Sequence, residues 1–258
     1  MHTKPGPVVH LFLVRHGETV ANTQGIVVGQ SSSPLTELGV QQAETLGRSD
    51  LFRENCSFWR MYSSDLARAE DTARIILRSA AVDATELRLD TRLRELAKGA
   101  RQGYPKTLSY NQAVQNRQEQ GHIGPIPKLE SEEDGWLRVA SWLDEVLTDA
   151  IAEDEMRNRG QLCGKKSYNV LVIAHAGLLR VFLKRMLGEE RLNGHPCATH
   201  DADGRFRVPN TSVTILDVYA EAHKQSTLSK FEGPTGKSVN IVQLTRTTHF
   251  DDHALLLL

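Results

Sequence analysis

The sequence predicts an α/β protein built in three layers, with helices on both sides of a mainly parallel central sheet. Three observations point to it. Two apolar runs rich in β-branched residues, Val8 to Val14 and Asn169 to Ala174, have the length and composition of strands buried on both faces. Each run ends in a histidine with a glycine close behind, His16-Gly17 and His175-Ala176-Gly177. Around them, short strand candidates alternate with segments whose apolar residues recur at helical spacing, a pattern that favours parallel strands joined by helical crossovers.

The first run stops at Arg15-His16-Gly17-Glu18-Thr19, and a polar loop from Glu18 to Ser33 follows, carrying Asn22, Gly25, Gly29 and Gln30. Pro34-Leu35-Thr36 opens a helix with Thr36 at its N-cap and Leu38, Ala43 and Leu46 as its apolar stripe. Phe58 to Tyr62 reads as a second strand. It gives way at Ser63-Ser64-Asp65 to a helix bearing Leu66, Ala69, Ala73, Ile76 and Leu77. Arg68 falls in the first turn of that helix, which directs it back toward the strand ends. Glu86 to Leu89 is a short strand candidate that precedes Leu93-Arg94-Glu95-Leu96.

From Lys98 to Glu130 the chain turns polar, with Gly99, Gly103, Gly121, Gly124 and prolines at 105, 125 and 127. This reads as an insertion at about 98–130 that covers a pocket, with one weak helix from Leu108 to Gln118. Ser131 and Asp134 form a possible capping box for a long helix whose buried stripe is Trp136, Val139, Leu143, Val146, Leu147 and Ile151. Trp136 is expected in the core and Trp142 at the helix surface. After His175-Ala176-Gly177 a helix runs from Leu178 to Leu187, then a polar loop from Gly188 to Pro209, then strand candidates at Thr211 to Val218 and Val239 to Leu244. The chain is read as a single domain over 1–258.

Composition narrows the function classes. With 258 residues, 40% hydrophobic and 24% charged, the chain is ordinary for a globular protein, and its formal charge of -1 speaks against nucleic acid or an anionic membrane as partner. Attraction for an acidic substrate must therefore come from local clusters of Arg and His. Cys56, Cys163 and Cys197 are scattered without a CxxC spacing, which suits a reducing compartment. No stretch approaches the roughly 20 apolar residues of a membrane span, and Met1 to Pro7 lacks the apolar core of a secretory signal, so a cytoplasmic location is expected. Nothing in the sequence specifies an oligomeric state.

If both apolar runs are central strands of one parallel sheet, His16 and His175 emerge at the same edge, where open α/β sheets place their sites. Arg15 accompanies the first and Arg68 heads a nearby helix, while Glu95 follows a short strand. Two histidines, two arginines and a carboxylate suit a phosphomonoester dianion, because guanidinium forks pair with phosphate oxygens and helix N-termini attract anions. Each residue also has a plainer reading: Arg68 as an exposed helix residue, Glu95 as an ion-pair partner of Arg94, His16 as a capped surface histidine. Glu18 is read as structural, and Arg180 as a structural partner. His195, Cys197, His200, Asp201 and Asp203 match no metal-ligand spacing and are read as a solvated loop.

These residues resemble the histidine phosphatases of the phosphoglycerate-mutase-like superfamily. The resemblance runs through six segments in order: Arg15-His16-Gly17-Glu18-Thr19 with Asn22; Pro34 to Gly39 with Gln41 and Ala43; Ser63 to Ala69 with Thr72 and Ala73; Leu93-Arg94-Glu95; Val172 to Gly177 with Arg180; and Asn210 to Thr214. It implies His16 as nucleophile and future phosphohistidine, with Arg15, Arg68 and His175 holding the phosphoryl oxygens and Asn22 assisting. Glu95 would shuttle protons, and Gly29, Gln30, Ala176 and Gly177 would line the substrate. It implies a small phosphorylated substrate and neither metal nor cofactor.

The chain departs from the family's phosphatases in two segments. Lys98 to Gly103 places Gln102 where a glutamate is usual, and Lys128-Leu129-Glu130-Ser131 replaces Gly-Gly-Glu-Ser. The resemblance favours the phosphatase branch over the mutases, whose Asn-Glu-Arg-His-Tyr-Gly segment is here Arg94-Glu95-Leu96-Ala97-Lys98-Gly99. A phosphoglycerate mutase and a non-catalytic binding protein on the same scaffold are the alternatives.

Overall fold

The computed structural model describes residues 7–54, 57–121, 126, 128–159, 167–193, 200, 204, 206–220, 230–232 and 238–248. In chain order its elements are β1 (Val8–Arg15), α1 (Val20–Thr23), α2 (Glu37–Arg48), α3 (Asp50–Glu54), β2 (Arg60–Ser63), α4 (Ala67–Ser79) and β3 (Leu87–Leu89). Then come α5 (Tyr110–Glu119), α6 (Glu132–Arg159), β4 (Ser167–Ala174), α7 (Ala176–Leu187), α8 (Glu189–Asn193), β5 (Val213–Ala220), β6 (Lys230–Glu232) and β7 (Ser238–Thr248).

The strands form one sheet in the order β3-β2-β4-β1-β5-β7-β6. Strands β3, β2, β4 and β1 pair in parallel, β5 joins β1 antiparallel, and β7 and β6 continue antiparallel beyond it. The body of five strands is therefore mainly parallel, as the sequence predicts.

Alternation along β1 and β4 explains the layers. Val9, Leu11, Leu13, Val170, Val172 and Ala174 face one core, where they meet Leu143 and Val146 of α6 and Leu179 and Phe182 of α7. Phe12, Val14, Leu171 and Ile173 face the other, against Ala43 and Leu46 of α2 and Ala69, Ala73 and Ile76 of α4. A side chain of this size stabilises the fold by about 1.5–3 kcal/mol when fully buried. Truncating Leu171 to Ala would therefore be felt by both the sheet and the helices that cover it.

Local differences from the sequence reading have physical causes. The loop after Glu18 contains α1, started by Thr19 and Asn22, each of whose side chains accepts from the other's main-chain N–H. Strand β2 begins at Arg60, and Phe58 ahead of it packs edge-on against Phe12 with 5.5 Å between ring centres. Helix α7 begins at Ala176, since extended His175 serves as its N-cap residue. Trp142 is buried rather than at the helix surface, its ring 5.4 Å from that of Tyr62. Ser131 and Asp134 do cap α6, with Asp134 N–H donating to Ser131 Oγ at 3.0 Å. Cys56, Cys163, Cys197, His195, Asp201 and Asp203 lie outside the described residues.

Candidate active site

Register places the two histidines. Arg15 pairs with Ala174 across β1 and β4, so His16 and His175 are the next residues to leave the same sheet edge. Their ring centres are 5.1 Å apart, and His16 N–H donates to the Ala174 carbonyl at 3.1 Å. One strand over, β2 pairs with β4 through Ser63 and Ile173 and then leads into α4, which carries Arg68.

His16 is nearly buried, and its Nδ1 lies 2.7 Å from the Gly17 carbonyl oxygen. A carbonyl can only accept, so Nδ1 carries the hydrogen and Nε2 keeps the lone pair. Burial, followed by the charges of Arg15 and Arg68, holds the His16 imidazole well below its ordinary pKa, partly opposed by the Gly17 carbonyl. His175 is fully buried, and neither ring nitrogen has a hydrogen-bond partner among the described residues. Burial, then Arg68, His16, Arg15 and Arg138, holds it low as well. Both imidazoles are therefore neutral near pH 7.

The arginines are held by main-chain carbonyls instead of carboxylates. Arg15 Nη1 donates to the Val208 carbonyl at 2.8 Å. Arg68 donates to the carbonyls of Ser31 at 2.9 Å and Gly29 at 2.7 Å. Gly29 has φ +56, and a Cβ there would lie 2.4 Å from Gln102 Oε1, so both conformation and space require glycine. Burial lowers Arg68 to about 10 against the opposing charge of Glu95.

Glu95 sits on the start of α7. Its Oε1 accepts from Leu96 N–H at 2.7 Å and Leu178 N–H at 3.1 Å, and Oε2 accepts from Gly177 N–H at 2.9 Å. Its carbonyl accepts from Gln30 Nε2 and Arg138 Nη2, which fix the segment from both sides. Arg94 pairs with Asp65, not with Glu95, so the plainer reading of Glu95 as its ion-pair partner does not hold. The Glu18 carboxylate accepts from Thr36 Oγ1 at 2.9 Å.

A cavity of about 460 Å³ opens at this edge, lined by Arg15, His16, Asn22, Gly29, Arg68, Glu95 and Ala176 among others. Gln30, His175 and Gly177, expected to bind substrate, are not on its wall. Gln30 Nε2 donates to the Glu95 carbonyl, Gly177 N–H to the Glu95 carboxylate, and His175 is fully buried with its ring centre 5.1 Å from that of His16. Asn22 reaches the site through Asn210, whose Nδ2 donates to the His16 carbonyl at 2.9 Å and Asn22 Oδ1 at 3.3 Å. The sequence reading assigned Asn210 no role, although it opens the last recognised segment. It also missed Lys98, Arg101, Lys106 and Arg207 on the cavity wall. The available signal was a polar segment, 98–106, with three cations and no acid.

Two buried imidazoles, two desolvated guanidiniums and a carboxylate thus share one edge of a doubly covered sheet. The family model for the histidine phosphatase superfamily, branch 1, matches residues 11–229, and the chain belongs to that superfamily. The chain is 30% identical over 218 residues to the probable phosphoglycerate mutase GpmB of Salmonella arizonae, covering 81% of this chain and 85% of the relative. Among solved structures, a mycobacterial glucosyl-3-phosphoglycerate phosphatase has a TM-score of 0.54 at 25% identity, covering 81% of this chain and 92% of that one. A structure described as mycobacterial hydrolase 2 has a TM-score of 0.63 at 20% identity, covering 97% and 96%, and shares the fold. No helix among the described residues is long and apolar enough to cross a membrane.

Proposed function

We propose that this chain is a phosphomonoester hydrolase that works through a covalent phosphohistidine on His16. The observation that carries the reading is the 2.7 Å contact between His16 Nδ1 and the Gly17 carbonyl, which leaves the lone pair on Nε2 of a residue that lines the cavity with two guanidiniums. Nε2 attacks phosphorus in line, the P–O ester bond breaks, and the departing oxygen takes a proton from Glu95. Water then gives a proton back to Glu95 as it attacks phosphorus, the N–P bond breaks, and orthophosphate leaves. Arg15 and Arg68 stabilise charge on the equatorial oxygens, and His175 Nε2 or Nδ1 is free to donate to one of them.

The hydrogen bonding of Glu95 is compatible with that role. A carboxylate offers four lone-pair sites, and three are taken by N–H groups, two on Oε1 and one on Oε2. The remaining site on Oε2 is where the shuttled proton fits. Asn22 and Asn210 hold the His16 backbone, and Gly29 and Gln30 act by positioning Arg68 and Glu95.

The GpmB relatives carry the name of a mutase, which supports phosphoglycerate mutase as the second reading. The phosphatase named among the solved structures, together with the segment Arg94 to Gly99 in place of the mutase one, supports hydrolysis. The two readings separate in one assay. A hydrolase releases phosphate from phosphomonoesters with neither a bisphosphate primer nor metal, and EDTA leaves its rate unchanged. Interconversion of 3- and 2-phosphoglycerate faster than phosphate release would decide for the mutase.

A further inference from the structure

Seven Lys and Arg side chains line the cavity at His16, and Glu95 is the one carboxylate among its described lining residues. Arg15 and Arg68 stand beside the phosphoryl position. The other five are Lys98, Arg101 and Lys106 on the segment after Glu95, Arg180 on α7 and Arg207 before β5. Lys98, Lys106 and Arg207 form no ion pair with any described residue, and Arg101 donates only to the Lys106 carbonyl, at 2.6 Å. Gln102, which organises this segment through Gln30 N–H at 3.1 Å and Lys98 N–H at 3.2 Å, adds no charge. The cations also act on each other. Burial lowers Arg15 to about 10, Glu95 opposes it, and Arg180, Arg207 and Arg68 push in the direction of burial.

The surplus is local to this cavity. The neighbouring one, about 520 Å³, shares Lys98 and Arg180 but has Glu132 and Glu189 on its wall, and its Lys184 pairs with Glu189 at 3.3 Å. A cavity that gathers this much like charge raises the local concentration of anions and is stabilised when they bind. A phosphate monoester brings about -2 at neutral pH, which Arg15 and Arg68 already match. A carboxylate would add a single negative charge against the outer cations.

We infer that the substrate carries a second phosphate group, and that Lys98, Arg101, Lys106 and Arg207 bind it while the first phosphate sits at His16. This rests on the hydrolase reading for the identity of the first phosphate. The outer set mixes two guanidiniums, able to form paired N–H bonds, with two flexible ammonium groups, a combination suited to a dianion whose position varies between substrates.

The test uses phosphonates, which the chain cannot hydrolyse, so that binding is read apart from turnover. Calorimetry on the full chain would compare propylphosphonate, 3-phosphonopropanoate and propane-1,3-bisphosphonate. The bisphosphonate should bind about tenfold tighter than either of the others at low salt, with the gap shrinking as ionic strength rises. Lys106 and Arg207 are exposed, so the double variant Lys106→Gln/Arg207→Gln should fold, and in it the gap should narrow to about threefold or less. Equal binding of all three ligands overturns the inference. So does a carboxylate that matches the second phosphonate, or a gap that the double variant leaves intact. Failure to release phosphate from the matching esters overturns the hydrolase reading instead, and leaves the binding result to judge the second site.

Discussion

The main-chain N–H of Gly177 donates to Glu95 Oε2 at 2.9 Å, tying the segment after β3 to the helix start behind His175. A Cβ on residue 177 would lie 2.3 Å from Glu95 Oε1, so an alanine there cannot coexist with the carboxylate where it is. Gly177→Ala should displace Glu95 and lower kcat by about 10²-fold, the usual cost of a misplacement near 1 Å, while the thermal midpoint moves little. Unchanged turnover would show that the position of Glu95 does not matter to the reaction.

The role of Glu95 can be separated from its structural ties by changing the leaving group. Glu95→Gln should slow alkyl phosphates by about 10²–10⁴-fold, since an alkoxide needs the proton. An aryl phosphate, whose phenolate leaves unaided, should still give a rapid burst of phenolate, followed by slow turnover because water lacks its base. Parallel losses on both substrates, without a burst, would assign Glu95 to structure only.

Gln102 holds two main-chain N–H groups with one oxygen and packs against Gly29, whose carbonyl fixes Arg68. Gln102→Ala leaves those donors unpaired, at a cost of about 1–3 kcal/mol, and frees the loop that orients Arg68. Its kcat/KM should fall together with the thermal midpoint. Gln102→Glu keeps an acceptor in place and should recover most of the midpoint. Equal losses in both variants would mean that the amide, not the acceptor, is what matters.

Two buried neutral histidines make stability depend on pH with a definite sign. Below the ordinary value of 6.5 the unfolded chain takes up protons on His16 and His175 that the folded chain refuses. The contribution is therefore fully present above 6.5 and is lost as pH falls toward the folded values. The thermal midpoint should drop between about pH 7 and pH 5, and less steeply in His175→Gln. An unaltered slope in that variant would mean that His175 is not held neutral in the fold.

The parts of this site that were legible in the sequence are those fixed by local pattern. The runs ending at His16 and His175 carry enough β-branched residues to specify buried strands, and parallel pairing then brings their ends together. Arg68 and Glu95 were legible because each sits beside an element boundary. Roles that depend on distant segments were not. Arg15 and Arg68 are oriented by carbonyls of Val208, Ser31 and Gly29, and main-chain acceptors leave no mark in a sequence. Gln30 and Gly177 sit where a motif places substrate contacts, and the hydrogen bonds from Gln30 Nε2 and Gly177 N–H to Glu95 leave no such mark in the sequence. The cationic wall arises only when 98–106 and Arg207 fold over the same edge.

The central claim is that phosphorus passes through a covalent bond to His16 Nε2. The direct measurement is to mix the chain with a labelled phosphomonoester, quench in alkali during turnover, and locate the label by peptide mass spectrometry. The account predicts phosphate on His16, stable in alkali and released in acid, and none on folded His16→Ala. Label on a serine or a carboxylate, or steady phosphate release with no labelled protein and with His16→Ala still active, would contradict it.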